Sequence, residues 1–269
     1  HKELCQMLIE KGADVNAVGL RGPALTKAAE GGHKELCQML IEKGADVNAV
    51  SIRGTALMVA AEEGNKEVCE LLIEKGAEIN AVNEFGTTAL MFAAKEGNKE
   101  VCQLLVEKGL EVNTADKYGI TAFMRAANRG NKEVCQLLIE KGADVNAVAK
   151  NGWTALTKAA EGGHKEVFQL LIEKGADVNA VSTLGTALML AAENGHKEVC
   201  DLLIEKGADV NTVKEDGWTA LTKAAEGGHK EVCQLLIEKG ADVNAVDLKN
   251  RTPLVISVES GQREIIEML

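Results

Sequence analysis

Two kinds of apolar pattern alternate along this chain, both with helical spacing. In the segment from Ala155 to Ala160, the small or branched residues Ala155, Leu156, Ala159 and Ala160 fall on one side of a short helix. A Gly162-Gly163 pair ends it, and a second helix runs from Lys165 to Lys174 with Val167, Leu170 and Leu171 on one face and Phe168 and Ile172 beside them. A helix apolar over so wide an arc must be packed from two directions. The alanines of the first helix let a neighbour approach closely. Glu166 near the start of the second helix and Lys174 near its end suit the helix dipole, and Gly175 supplies a left-handed residue after the last turn. Asn151-Gly152 marks a turn before the pair, and Thr154 is placed to cap the first helix.

This unit recurs. The glycine that closes the second helix falls at Gly12, Gly44, Gly76, Gly109, Gly142, Gly175, Gly207 and Gly240, at steps of 32 or 33 residues. A fixed period of this size predicts a stacked array in which each unit buries its neighbours' apolar faces. The predicted organisation is one domain over 1–269. It comprises a partial repeat at 1–18, repeats at 19–50, 51–82, 83–115, 116–148, 149–181, 182–213 and 214–246, and an incomplete one at 247–269. The chain opens and closes inside second helices, which predicts frayed ends or end-to-end stacking of otherwise monomeric chains.

The residues that carry the pattern are Gly152-x-Thr-x-Leu156, Ala159-Ala160, Gly163-His164, Glu166-Val167, Leu170-Leu171 and Gly175-Ala-Asp-Val-Asn179. With these the chain resembles the ankyrin-repeat family over essentially its whole length. That resemblance implies an all-α ankyrin-repeat solenoid of stacked helix-turn-helix units with finger-like turns, and a protein-binding role for the fingers and first helices, which line a concave groove. The family's Thr-Pro-Leu-His is altered here. Its His, which braces the turn, is replaced by Thr26, Met58, Met91, Met124, Thr157, Met189, Thr222 and Val255, so that bracing is in question. Three fingers, around Gly22, Gly54 and Gly185, are one residue short, and the sequence leaves open which residue is missing. Near-identical stretches such as Thr157–Val167 and Thr222–Val232 point to an engineered or consensus-like array, although irregular fingers and retained cysteines pull the other way, toward a natural ankyrin adaptor.

The period also sorts the candidate chemistry. Cys5, Cys37, Cys69, Cys102, Cys135, Cys200 and Cys233 share one place in the repeat, with Phe168 in the eighth. Stacked helices stand roughly 8–10 Å apart, too far for a disulfide, so free buried thiols and a cytoplasmic setting are expected. His1, His33, His164, His196 and His229 share another place with Asn65, Asn98, Asn131 and Gln262, which predicts cap-like hydrogen bonding and no metal site. The Asp-Val-Asn triplets read as loop braces. No nucleophile elbow, phosphate loop or metal signature occurs, so neither catalysis nor a cofactor is expected. A net charge of −11 opposes DNA binding and an anionic membrane surface as partners.

Function should therefore sit where the repeats differ. Of seven aromatic residues, Phe123 and Phe168 take core places, while Phe85, Phe92, Tyr118, Trp153 and Trp218 fall in fingers or just after them. Leu20, Ile52 and Leu184 occupy equivalent or adjacent finger places, Arg21 and Arg53 share that region, and Arg125 and Arg129 lie on a first helix. Aromatic and Arg residues dominate binding hot spots. The predicted protein- or peptide-binding set is Arg53, Phe85, Phe92, Tyr118, Arg125, Trp153, Leu184 and Trp218. An alternative is nucleotide binding. The stretches Thr88–Met91 and Thr121–Met124 are similar to the ankyrin sensor domain of the oligoadenylate-activated ribonuclease, where an aromatic matching Trp153 and Trp218 stacks on adenine. Lys223 and Gly227 stand where that relative has its acidic and aromatic ligands, and Ile120 lacks the ring.

Overall fold

The computed structural model describes residues 2–19 and 22–269; His1, Leu20 and Arg21, named above, lie outside the described residues. The elements are α1 (Lys2–Glu10), α2 (Ala24–Glu30), α3 (Lys34–Glu42), α4 (Ala56–Glu62), α5 (Lys66–Glu74), α6 (Ala89–Glu96), α7 (Lys99–Glu107), α8 (Ala122–Asn128), α9 (Lys132–Glu140), α10 (Ala155–Glu161) and α11 (Lys165–Glu173). A short ribbon follows, β1 (Val181–Ser182) and β2 (Gly185–Thr186), then α12 (Ala187–Glu193), α13 (Lys197–Glu205), α14 (Ala220–Gly227), α15 (Lys230–Glu238), α16 (Pro253–Glu259) and α17 (Arg263–Ile266). The alternation of seven- or eight-residue and nine-residue helices through α16 is the one read from the apolar pattern; α17 has only four residues, Arg263–Ile266.

The chain divides into two compact units, His1–Ala126 with Glu133–Asp144, and Ala127–Lys132 with Val145–Leu269. In the first, α2, α4 and α6 pack in a row, with α1, α3, α5 and α7 in a second row beside them. In the other, α10, α12, α14 and α16 form one row and α11, α13, α15 and α17 the other. Among the first helices α4 is buried almost all round, with Ala56 to Ala61 all at most 1 % exposed, while α16 leaves Leu254, Val255 and Val258 exposed. On the second helices the apolar arc faces inward, as at Val167, Phe168, Leu170 and Leu171, and the Glu and Lys residues stay outside. Removing such a side chain, for example Leu105→Ala, costs about 2–5 kcal/mol, because close-packed rows collapse poorly around a cavity.

One recurring side chain caps each first helix, and two others fasten one repeat to the next. First-helix N-termini are capped by Thr55, Thr88, Thr154, Thr186, Thr219 and Thr252, each accepting a backbone N–H three residues on. At two of them the lost turn-bracing His has a substitute: Thr157 Oγ1 donates to Thr154 O (2.9 Å) and accepts from Thr154 N (2.8 Å), and Thr222 does the same with Thr219. The histidine column is structural but not a cap. No side-chain cap bond forms at His164, His196 or His229; each ring instead reaches back to the end of the preceding first helix, with Nε2 on Asn128 O (3.0 Å), Glu161 O (3.0 Å) and Glu193 O (2.8 Å). Asn65 and Asn98 use Nδ2 for the same purpose on two carbonyls each.

The asparagines of the Asp-Val-Asn triplets, and of Glu111-Val-Asn113, form a second set of inter-repeat struts. Asn16 donates to Gly44 O (2.9 Å) and accepts from Asp46 N (2.8 Å), and Asn48, Asn113, Asn146, Asn179 and Asn211 repeat the contact to Gly76, Gly142, Gly175, Gly207 and Gly240. All seven cysteines are free. Burial pushes the thiols of Cys69, Cys102, Cys135, Cys200 and Cys233 up to about 12 and that of Cys37 to about 11. These are packing groups kept protonated, not nucleophiles.

Candidate functional site

Each long finger is a five-residue loop closed by its own backbone. Asn83 N donates to Thr87 O (3.2 Å) and Gly86 N to Asn83 O (2.9 Å); Asp116–Ile120, Ala149–Trp153, Lys214–Trp218 and Asp247–Arg251 close in the same way. An Asn or Asp in first place tightens the loop, as where Asp116 Oδ1 accepts from Tyr118 N (2.8 Å) and Ile120 N (2.9 Å). In the short fingers the pairing skips one residue: Ser51 and Gly54 exchange both backbone bonds, and Ser182 pairs with Gly185 in the β1–β2 ribbon. The glycine then takes the closing role that Thr87 has in a long finger. The residue missing from a short finger is thus the one after the glycine, the place of Thr87, Ile120, Trp153, Trp218 and Arg251. Gly54 is required there: its φ is 110°, and Met58 Sδ fills the space a Cβ would need.

Finger length has a consequence for the surface. Three long fingers are each tied to the next finger through one carbonyl, Phe85 O to Lys117 N (2.9 Å), Asn151 O to Thr183 N (2.9 Å) and Asp216 O to Leu248 N (3.2 Å). Among the described residues the short fingers Ser51–Gly54 and Ser182–Gly185 make no such bond to the finger after them. A cleft lies at each. In the second unit one of about 490 Å³ is walled by Lys150, Gly152, Ser182, Gly185, Val213 and Lys214. In the first unit a cleft of about 350 Å³ holds Ile52, Arg53, Phe85, Phe92, Tyr118 and Arg125.

Five of the eight residues selected from the sequence therefore meet in one place. Ile52, Phe85 and Tyr118 stand 78 %, 48 % and 61 % exposed at its rim, and Phe92 is half-buried on α6. Its two arginines differ. Arg53 is committed to carboxylates, with Nη1 on Glu30 (2.6 Å) and Nη2 on Glu62 (2.6 Å) and Glu63 (3.0 Å). Burial alone would lower its pKa, but the bonds to Glu62 and Glu63 outweigh that and hold it above arginine's ordinary value. Arg125 gives only Nη2 to Asp116 Oδ2, at 2.7 Å, and touches Thr87 Oγ1 at 3.5 Å. Its Nε is buried without a partner.

The other three selected residues lie in the second unit and are placed differently from one another. Leu184 is 47 % exposed at the tip of the ribbon. Trp153 departs from the exposed ring expected of a contact residue: it is 4 % exposed, with Lys158 Nζ 3.3 Å from the ring centroid. Trp218 is half-buried between Lys223 and Arg251, at 4.8 and 5.8 Å. Beside it burial would raise the Asp216 carboxyl, but hydrogen bonds from Lys214 and Trp218 N–H outweigh this and hold it below the usual carboxylate range. A lysine over each indole, where a stacked base would need the ring, does not favour the nucleotide alternative. Asp116 was not singled out in the sequence, yet its carboxylate, 1 % exposed, organises the first-unit site. The sequence signal is an acid opening a finger with an arginine on the next helix; Asp247 also opens a finger and binds an arginine, but that one, Arg251, closes the same finger, Oδ2 to Nη2 2.6 Å.

Among the described residues no three His, Cys, Asp or Glu side chains gather closely enough to hold a metal ion, and no helix is long and apolar enough to cross a membrane. No curated protein matches the chain at a significant level. The family model described as ankyrin repeats (3 copies) matches residues 1–83, 57–149, 145–214 and 188–269. Capped first helices, long second helices, projecting fingers and this match across the whole length agree: the chain is an all-α solenoid and belongs to the ankyrin-repeat family.

Proposed function

We infer that the chain is a non-catalytic binding scaffold that holds a peptide segment of a partner protein in the first-unit cleft. Family membership supports a protein-interaction role in general. The observation that carries the specific reading is the convergence of Ile52, Phe85, Phe92, Tyr118 and Arg125 on one opening between fingers. Exposed aromatic rings beside arginine are the composition of an interface hot spot. Rigid rows of helices beneath hold them in place, so binding costs little ordering on the scaffold's side.

The test is selection of binders from a random peptide display library on the intact protein. Binding by the selected peptides is expected to fall at least tenfold in a Phe85→Ala/Phe92→Ala/Tyr118→Ala variant whose helical circular dichroism is unchanged. Peptides that bind this variant as tightly as the parent would overturn the reading.

A further inference from the structure

We propose that Arg125 is the anchor for a carboxylate of the bound peptide, so that the cleft selects an Asp or Glu side chain next to a large apolar one. This rests on the reading of the cleft as a peptide site and names the chemistry it recognises.

A guanidinium carries five N–H donors and no acceptor. At Arg125 one nitrogen, Nη2, is engaged, by Asp116 and more loosely by Thr87. Nε is shut off from solvent and unpaired. Nη1 has no partner among the described residues and is not buried, and the side chain lines the cleft. Asp116 cannot satisfy more of it, because Oδ1 is taken by Tyr118 N and Ile120 N and Oδ2 by Nη2. An uncommitted cationic donor in a partly desolvated cleft gains most from an anionic acceptor, since charge-assisted bonds are roughly twice as strong as neutral ones.

Two features choose a carboxylate over a phosphate. Phosphate sites converge several donors on one group, whereas this cleft offers one accessible nitrogen, its other guanidinium being occupied by Glu30, Glu62 and Glu63. The surrounding protein carries a charge of −11, so a dianion meets more repulsion than a single carboxylate. The exposed faces of Phe85 and Tyr118 and the Ile52 side chain at the rim then call for an apolar neighbour on the same peptide. Such a bipartite ligand explains how an acidic group could bind an acidic protein, because the aromatic contact supplies the affinity and Arg125 the selectivity.

Peptides selected on the wild-type chain should share an acidic residue adjacent to an aromatic or aliphatic one. Changing that acid to its amide in the peptide should weaken binding at least tenfold to wild type and less than twofold to Arg125→Gln. The peptide-side change leaves the protein untouched, so the comparison holds even where Arg125→Gln loosens the finger. Selected peptides without an acidic residue, or an amide substitution with equal effect on both proteins, would overturn the assignment. If they are still lost on Phe85→Ala/Phe92→Ala/Tyr118→Ala, the cleft stands and only its chemistry is wrong.

Discussion

Arg125 Nη2 lies 2.7 Å from Asp116 Oδ2, and this contact ties helix α8 to the finger that precedes it. The same carboxylate holds two finger amides through Oδ1. Asp116→Ala is therefore expected to lose about 2 kcal/mol by urea denaturation, the order of cost for leaving donors unpaired. Asp116→Asn keeps an acceptor for the amides and should lose less. An unchanged midpoint in both variants would show that the finger is held by its backbone bonds alone.

The inter-repeat struts should matter in proportion to what they leave exposed. Asn98 donates to Ala61 O (3.0 Å) and Glu62 O (2.8 Å), so Asn98→Ala should cost about 1 kcal/mol. His164→Asn, which copies the residue used at 65 and 98, should cost less than half of that. Equal losses would mean that ring packing, not the hydrogen bond, is what the histidine supplies.

Much of this architecture is legible in the sequence because it is local. Ala155, Leu156, Ala159 and Ala160 mark a packed helix by spacing alone, and Gly175 marks its partner's end, where φ is 82°. Relationships between repeats are less legible. The target of His196, Glu161 O, is 35 residues away, and the pattern of His and Asn indicated a hydrogen-bonding role without its direction. Trp153 illustrates the same limit: its place in a finger implies exposure, while burial and Lys158 depend on how the finger folds back. Pairing of Ser51 with Gly54 decides which finger residue is missing, and length alone cannot.

Buried thiols give a pH signature. The folded-state pKa of about 12 at Cys69, Cys102, Cys135, Cys200 and Cys233 lies above the ordinary thiol value of 9.0. Unfolding therefore releases protons as pH rises past that value, and the stability present below it is lost between roughly pH 9 and 12. Cys102→Val should flatten the fall of the thermal midpoint from pH 8.5 to 10.5. Iodoacetamide at pH 8 should modify Cys5, which is half-exposed, and leave the buried six intact until denaturant is added. Rapid labelling of all seven in the native protein would contradict this packing.

Finger length should act as a switch on the cleft. Inserting a threonine after Gly54 restores the residue that Thr87 supplies in the following finger, and the lengthened finger is expected to bond to that finger as Phe85 O does to Lys117 N. Helical content should be retained, and affinity for peptides selected on the wild type should drop at least tenfold. Undiminished binding would separate the cleft from the short finger beside it.

The partner is expected to seat on the fingers and first helices of the first unit, among Ile52, Phe85, Phe92, Tyr118 and Arg125. Amide hydrogen exchange with and without a selected peptide maps this directly. Protection concentrated in residues 51–54, 83–87 and 116–120, with α5 and α7 unchanged, is the predicted result. Protection confined to α5 and α7 would place the partner on the second helices and rule out the cleft.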